Sequence, residues 1–207
     1  MTARALLIFK PDAAHRIPVR SAIWSWLDQR DDIRILGLDW YRAPTELIKR
    51  HYDFLQGRPF FPWLVDFMTA LPVIAGAVEA DDLEKVRHDL GETQIQNSRP
   101  GSLRERYGIY AGVNCLHLSD GAETGEKETE LWSRYVELEG GVRADALDEG
   151  FERHDHTYQL RSLAAQYAAG VHRELAGEAI GGLLREETSL TDADFRALRR
   201  IILDAFD

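Results

Sequence analysis

The chain has 207 residues, of which 44% are hydrophobic and 29% charged, and its formal net charge is −10. This composition excludes a disordered chain, because it supplies the apolar surface that a folded core requires. The acidic balance argues against nucleic-acid binding through a general basic field but allows a local basic pocket. No apolar run approaches the roughly 18 to 20 residues of a membrane helix. The single cysteine, Cys115, excludes an intrachain disulfide, so we expect a cytoplasmic protein without membrane association.

Hydrophobic periodicity predicts alternating strands and helices over the first two-thirds of the chain. The predicted strands cover residues 4–9, 33–40, 71–79 and 113–118. A change of phase near Gly37 indicates a bulge in the second strand. Helices are predicted after Pro18, after Pro44, after Phe60, after Asp81 as N-cap and from about Asp120 to Tyr135. Without one helical insertion this order is βαββαβ, which predicts a ferredoxin-like α/β sandwich, an antiparallel sheet with helices.

Two segments fall outside this regular pattern. Residues 91–112 read as a polar, irregular loop, and structureless loops of about twenty residues in a compact domain are often functional. The composition shifts again near residue 140, so we expect a domain over 1–135 and an α-helical C-terminal appendage over 136–207. In the appendage, helical spacing over 157–187 and an N-cap at Thr191 predict a helical hairpin for packing or dimerisation.

Among the seven histidines, His117 lies in the most informative surroundings. It ends a predicted buried strand, directly after the long loop. Asn114 precedes it by three residues, and Ser119 and Asp120 can cap the following helix, whose N-terminus favours an anion. Glu128 lies two turns into that helix and can hold one imidazole nitrogen, leaving the other free for nucleophilic attack on a phosphoryl group. A lone histidine at a strand end is more often structural, so this pattern alone leaves both interpretations open.

Several motifs in fixed order resolve the choice, because together they resemble the nucleoside diphosphate kinase family over roughly residues 4–135. The motifs are Leu7-Ile8-Phe9-Lys10-Pro11-Asp12-Ala13, His51-Tyr52, Gly57-Arg58-Pro59-Phe60-Phe61-Pro62, Gly91-Glu92-Thr93, Arg99-Pro100-Gly101-Ser102-Leu103-Arg104 and Asn114-x-x-His117-x-Ser119-Asp120. Each motif is weak alone, and their joint occurrence in family order is specific.

The resemblance implies a role for each matching residue. His117 would accept the γ-phosphoryl group of a nucleoside triphosphate and pass it to a nucleoside diphosphate, with Glu128 orienting its ring and Tyr52 beside it. Lys10 and Asn114 would contact the phosphoryl and sugar region, and Phe60 would stack on the base. The other residues that the resemblance places at the phosphates are Arg87, Thr93, Arg104 and Ser119. The resemblance also implies Mg²⁺ held mainly by the nucleotide, with no protein metal ligand, and a homo-oligomer.

The chain departs from the family pattern at several positions. Leu118 stands where the family usually has glycine, and a leucine there could narrow the approach to the imidazole of His117 or re-aim the turn. The appendage has no counterpart in the short members of the family. Two alternatives therefore stay open: a non-catalytic nucleotide-binding or scaffold protein, and a kinase specialised for one diphosphate acceptor.

Overall fold

A computed structural model of the chain describes residues 2–142 and 153–207, so part of the predicted appendage, 143–152, lies outside the described residues. In the described part, six strands form one sheet in the order β5-β1-β4-β3-β6, with β2 also paired to β4. The strands are β1 (Ala3–Phe9), β2 (Ile33–Ile35), β3 (Gly37–Tyr41), β4 (Val73–Ala80), β5 (Leu116–Leu118) and β6 (Gly141–Val142). All pairs are antiparallel except β3 with β6. With β2 and β3 taken as one interrupted strand, this is the predicted ferredoxin-like arrangement.

The described helices cover both faces of the sheet and build the C-terminal region. They are α1 (Pro11–His15), α2 (Ile17–Asp28), α3 (Thr45–His51), α4 (Phe61–Ala70), α5 (Leu83–Leu90), α6 (Leu103–Tyr107), α7 (Ala122–Ser133), α8 (Thr157–Ala168), α9 (Arg173–Glu187) and α10 (Asp192–Asp204). The segment 91–112 is not a wholly irregular loop as predicted, because it contains α6 and a 3-10 turn at Ile95–Asn97.

Alternation along β1 divides the core between the two faces of the sheet. Leu7 and Phe9 pack with the layer that includes Ile23 of α2, whereas Leu6 and Ile8 pack with the layer that includes α3, α4 and α7. Side chains on a strand alternate with a period of two, so consecutive apolar residues supply both layers. This explains why β1 reads as an uninterrupted apolar run.

The predicted bulge lies at the junction of β2 and β3. Ile35 pairs with Val78 and Asp39 pairs with Ala75, so four steps along one strand oppose three along the other. Gly76 lies opposite this junction, where an added Cβ would collide with the carbonyl oxygen of Gly37. The extra residue brings the two backbones together, and glycine on both strands makes that approach sterically feasible.

Three local predictions were wrong. The N-cap of α5 is Asp82, which accepts a hydrogen bond from the Lys85 amide, and not Asp81. The N-cap of α7 is Gly121, without a side-chain cap, so neither Ser119 nor Asp120 serves that role. The strand predicted over 113–118 is confined to β5, because Cys115 takes a left-handed backbone conformation (φ 73°) that interrupts the extended chain.

The C-terminal region forms three helices and not the predicted hairpin. Left-handed backbone at Gly170 and His172 separates α8 from α9, and the N-cap of α10 is Thr191, as predicted. Leu160, Leu184 and Leu198 of these helices share one apolar cluster with Ile109 and Val113 of the first region. The helices therefore pack on the segment just before β5. The boundary at residue 135 stays a prediction.

A buried ion pair also joins the two regions. Arg16 and Glu187 have fully buried side chains, and the guanidinium donates to the carboxylate from Nε and Nη2. Arg16 Nη2 further donates to Thr157 Oγ1 at 2.7 Å. Such a pair fixes the relative position of two elements, because separating it would leave an uncompensated charge in the interior.

None of the helices that the structure describes is long and apolar enough to cross a bilayer.

Candidate active site

His117 and Glu128 form the centre of the site. His117 lies in the middle of β5, paired with Ile8, so its ring faces the same layer as α7. Glu128 of α7 reaches back to it, with Oε2 2.8 Å from Nε2 of His117, and Ser119 Oγ donates to the same oxygen at 2.6 Å. Burial alone would raise the pKa of Glu128. The hydrogen bond and the positive charge from His117 outweigh the effect of burial, so the pKa lies below its usual value. Glu128 is thus an ionised acceptor beside the imidazole.

A second histidine, His51, lies against His117 and was missed as a site residue by the sequence analysis. The two ring centroids are 4.5 Å apart and nearly perpendicular. Trp132 Nε1 donates to Nδ1 of His51 at 3.2 Å. Burial, followed by the charge of His117, lowers the pKa of His51 to about 3, so its ring is neutral at physiological pH. The adjacent motif residue Tyr52 packs beside the imidazole, with its ring centroid 6.1 Å from that of His117.

The structure joins Lys10 directly to Asn114. Lys10 Nζ donates to Asn114 Oδ1 at 2.7 Å, and Asn114 Nδ2 donates to the carbonyl of Thr93 at 2.7 Å. Both Lys10 and Asn114 are buried. Burial, followed by repulsion from Arg104, lowers the pKa of Lys10 to about 8. Three positions predicted from separate motifs therefore form one hydrogen-bonded chain.

Asp12 fixes the turn that places these groups, and the sequence analysis gave it no role. Its Oδ2 accepts the amide of Cys115 at 2.9 Å, while the Lys10 amide donates to the Cys115 carbonyl at 2.8 Å. These hydrogen bonds keep Cys115 in a left-handed backbone conformation. For a residue other than glycine, that conformation is unfavourable by about 1–3 kcal/mol. The turn brings Asn114, two residues before β5 begins, next to Lys10. The Lys10-Pro11-Asp12 motif was the available signal.

Two arginines enter the site from the side opposite α7. Arg104 is buried, with Nη1 donating to the Gly91 carbonyl at 2.9 Å and Nη2 to the Leu116 carbonyl at 2.7 Å. Arg87 Nη1 donates to the Leu118 carbonyl and pairs with Asp120. Burial, followed by repulsion from Arg87, lowers the pKa of Arg104 to about 10. Repulsion among Lys10, Arg104 and Arg87 indicates a pocket suited to an anion.

The remaining predicted positions also have defined surroundings. Phe60 precedes α4 and is 49% exposed, so its ring is accessible to a ligand. Leu118 is buried in the layer that contains Leu7, its pairing partner, and so lies on the opposite side of the sheet from His117. The expectation that Leu118 could narrow the approach to the imidazole was therefore wrong.

One group of side chains has the composition of a metal site. Among the described residues, His51, His117 and Glu128 offer ligand atoms that all lie within 4.8 Å of one another. However, Trp132 engages Nδ1 of His51, which leaves the proton of the neutral ring on Nε2, and Glu128 Oε2 already accepts from Ser119. A cation bound through Nδ1 of His51 or Oε2 of Glu128 would have to displace these contacts. The three side chains are held as a hydrogen-bonded group, and the absence of a protein metal ligand stays a prediction.

The fold and the site together indicate a phosphotransferase: an imidazole oriented by Glu128 lies on β5, whose backbone carbonyls accept hydrogen bonds from the cationic side chains of Arg104 and Arg87. The comparisons agree. A family model described as nucleoside diphosphate kinase matches residues 3–138. A nucleoside diphosphate kinase of Staphylococcus aureus strain JH9 is 37% identical over 136 residues, which is 65% of this chain and 90% of the relative. The chain belongs to the nucleoside diphosphate kinase family, and it is a nucleotide-dependent phosphotransferase.

Solved structures of the family show the same fold. The Aquifex aeolicus nucleoside diphosphate kinase matches with a TM-score of 0.57 at 32% identity, covering 67% of this chain and 99% of that one. The enzyme from Encephalitozoon cuniculi matches with a TM-score of 0.58 at 30% identity, covering 63% and 88%. A halophilic enzyme from Halobacterium salinarum in complex with CDP matches with a TM-score of 0.57 at 28% identity, covering 77% and 99%.

Proposed function

We propose that this chain transfers the γ-phosphoryl group of a nucleoside triphosphate to a nucleoside diphosphate through a phosphohistidine at His117. The observation that carries the proposal is the 2.8 Å contact between Nε2 of His117 and Oε2 of Glu128. An ionised Glu128 keeps the ring proton on Nε2, so the lone pair lies on Nδ1. No hydrogen bond among the described residues engages Nδ1.

The chemistry then proceeds in two half-reactions. In the first, the Nδ1 lone pair attacks the γ-phosphorus, an N–P bond forms, and the bond to the bridging oxygen breaks to release a nucleoside diphosphate. In the second, a terminal phosphate oxygen of another nucleoside diphosphate attacks the phosphorus and the N–P bond breaks. Glu128 stabilises the positive charge that develops on the imidazole when the N–P bond is present.

Lys10, Arg87 and Arg104 would stabilise the phosphates during both steps. Their charges would stabilise the negative charge that spreads over the oxygens of the transferring group, and Arg104 Nε has no hydrogen-bond partner among the described residues. Mg²⁺ would be held mainly by the nucleotide, since these cationic side chains offer it no ligand, and it would neutralise phosphate charge. Asn114 would contact the sugar and phosphate region, and Thr93 and Ser119 would lie at the phosphates.

Base recognition would rest on Phe60. Its half-exposed ring provides a stacking surface, and stacking accepts any base because every base has a π-face. The CDP complex of the Halobacterium relative supports nucleotide binding by this fold. We therefore propose broad nucleotide use, and a steep preference for one acceptor would instead favour the specialised kinase.

The setting of the activity is also a proposal. We infer a cytoplasmic protein, which the single cysteine supports, and a homo-oligomer, which exposed apolar side chains in the C-terminal region support. Those side chains are Tyr158, Val171 and Leu175. Sedimentation equilibrium tests the oligomer, and a monomer at micromolar concentration would contradict it.

Steady-state kinetics test the proposed function directly. With ATP as donor and GDP as acceptor, a phosphoenzyme mechanism gives parallel double-reciprocal lines, whereas direct transfer in a ternary complex gives intersecting lines. We expect parallel lines for the unaltered chain and no transfer for His117→Ala. Nucleotide binding without any transfer would favour the non-catalytic scaffold.

A further inference from the structure

The C-terminal end of α6 is held by arginines from elsewhere in the chain. Arg161 of α8 donates to the Glu105 carbonyl at 2.6 Å and to the Gly108 carbonyl at 2.7 Å. Arg16 donates to the Tyr107 carbonyl at 3.1 Å. The last carbonyls of a helix have no intrahelical partners, and cationic donors there also oppose the negative end of the helix dipole.

The short length of α6 makes these contacts important. A helix of five residues gains too little from its own hydrogen bonds to be stable by itself, so external contacts must determine its position. The C-terminal helices provide them: α8 carries Arg161 itself, and Glu187 of α9 holds Arg16.

The same helix carries Arg104 in its first turn. The Arg104 guanidinium donates hydrogen bonds to two carbonyls among the described residues, those of Gly91 and Leu116. Leu116 lies one residue before His117. Its orientation toward the site therefore depends on where α6 lies. The described residues thus form a continuous route from α8 through the end of α6 to the phosphate side of the pocket.

We propose that Arg161 is a positioning residue for Arg104, and that the C-terminal helices are part of the phosphate-binding apparatus. This inference rests on the proposed function, in which Arg104 binds the terminal phosphates of the nucleotide. Arg161 does not touch the substrate; it holds the backbone from which Arg104 acts. The C-terminal helices would therefore do more than pack or dimerise.

Calorimetric titration of the full chain with ADP tests the proposal without requiring turnover. We expect Arg161→Ala to weaken ADP binding by roughly 3- to 30-fold, the range for residues that act on a site without touching its ligand. AMP, which lacks the phosphate that Arg104 would bind, should lose no affinity. Arg161→Lys keeps the charge and one donor, and should restore part of the loss.

A matched control separates positioning from general loosening of the C-terminal helices. Arg173 lies over the Tyr167 ring and pairs with Asp207, so its described contacts stay within the C-terminal region. Arg173→Ala should leave ADP affinity unchanged. An equal loss of ADP affinity in Arg173→Ala and Arg161→Ala would overturn the proposal, as would unchanged ADP affinity in Arg161→Ala.

A double-mutant cycle tests whether Arg161 acts through Arg104. If it does, Arg161→Ala causes no further loss of ADP affinity in an Arg104→Ala background, whereas independent effects would multiply. Multiplicative losses would overturn the proposal. Failure of the proposed function is distinguishable, because it would appear as absent phosphotransfer in the unaltered chain, a reaction that the ADP titration does not require. Absent ADP binding in the unaltered chain would overturn both the proposed function and this inference.

Discussion

Glu128 contacts both His117 and Ser119 through one carboxylate oxygen, at 2.8 Å from Nε2 of the imidazole and 2.6 Å from the hydroxyl oxygen. Ser119 is itself fixed, because its Oγ accepts the Leu6 amide of β1 at 2.9 Å. The position of the carboxylate is therefore set by the central sheet as well as by α7. This arrangement makes Glu128 the residue whose alteration should change catalysis most selectively.

Glu128→Gln should slow phosphotransfer while leaving nucleotide affinity unchanged. The amide cannot supply negative charge to the imidazole, and it can donate to Nε2 and so favour the proton on Nδ1, where attack must occur. We expect a decrease in kcat of roughly 10²- to 10⁴-fold, the usual contribution of such a partner. Rapid-quench measurement of phosphoenzyme formation checks this, and a variant with the unaltered rate would exclude the orienting role.

Lys10 should give phosphotransfer an alkaline limb. Its pKa in the folded chain is lowered to about 8, so the ammonium that binds phosphate is present below this pH and lost as pH rises through it. The value of kcat/KM reports ionisations of the free enzyme and should fall above about pH 8. In Lys10→Ala, turnover should be low and this limb absent. A melting temperature lowered as much as by a core mutation would instead make Lys10 structural.

Phe60→Ala should weaken binding of different nucleotides by similar factors. Loss of base stacking costs about 1–3 kcal/mol per base by alanine substitution, irrespective of the base. We therefore expect KM for ADP, GDP and CDP to rise together, with little change in kcat. If only one nucleotide were affected, Phe60 would belong to a base-specific contact.

The stability of the fold should change differently when one partner of the Arg16–Glu187 pair is replaced and when both are replaced. Glu187→Gln leaves the fully buried Arg16 with only the partly exposed carboxylate of Asp155, 3.2 Å from Nη2, as an anionic partner, and should lower the free energy of unfolding by up to about 3–5 kcal/mol. Replacing both by apolar residues, as in Arg16→Met with Glu187→Leu, should recover most of that loss. Denaturant titration of the three chains measures both effects. A double variant as unstable as Glu187→Gln would show that the pair itself stabilises the fold.

The sequence allowed prediction of features that depend on neighbouring residues or short spacings. The apolar run of β1 and the Thr191 cap are local patterns, and both occur in the structure. Residues drawn together by the fold were harder to find. The Trp132–His51 contact joins positions 81 residues apart, and no spacing rule connects them.

Local patterns also failed where two residues competed or where the backbone turned unexpectedly. Asp81 and Asp82 are both suitable caps, and it is Asp82 whose side chain accepts the Lys85 amide. The left-handed conformation of Cys115 depends on the buried carboxylate of Asp12, more than a hundred residues earlier in the chain. Gly170 was the available signal for the break between α8 and α9, since glycine commonly ends helices in this conformation.

In the proposed mechanism, Glu128 holds the proton on Nε2 of His117 so that Nδ1 receives the phosphoryl group. Incubation with γ-labelled ATP and Mg²⁺, an alkaline quench and base hydrolysis, followed by chromatography against the two phosphohistidine isomers, tests this directly. We expect label on Nδ1 of His117 that GDP removes before the quench, and none in His117→Ala. Label on Nε2, or on another residue, would contradict it.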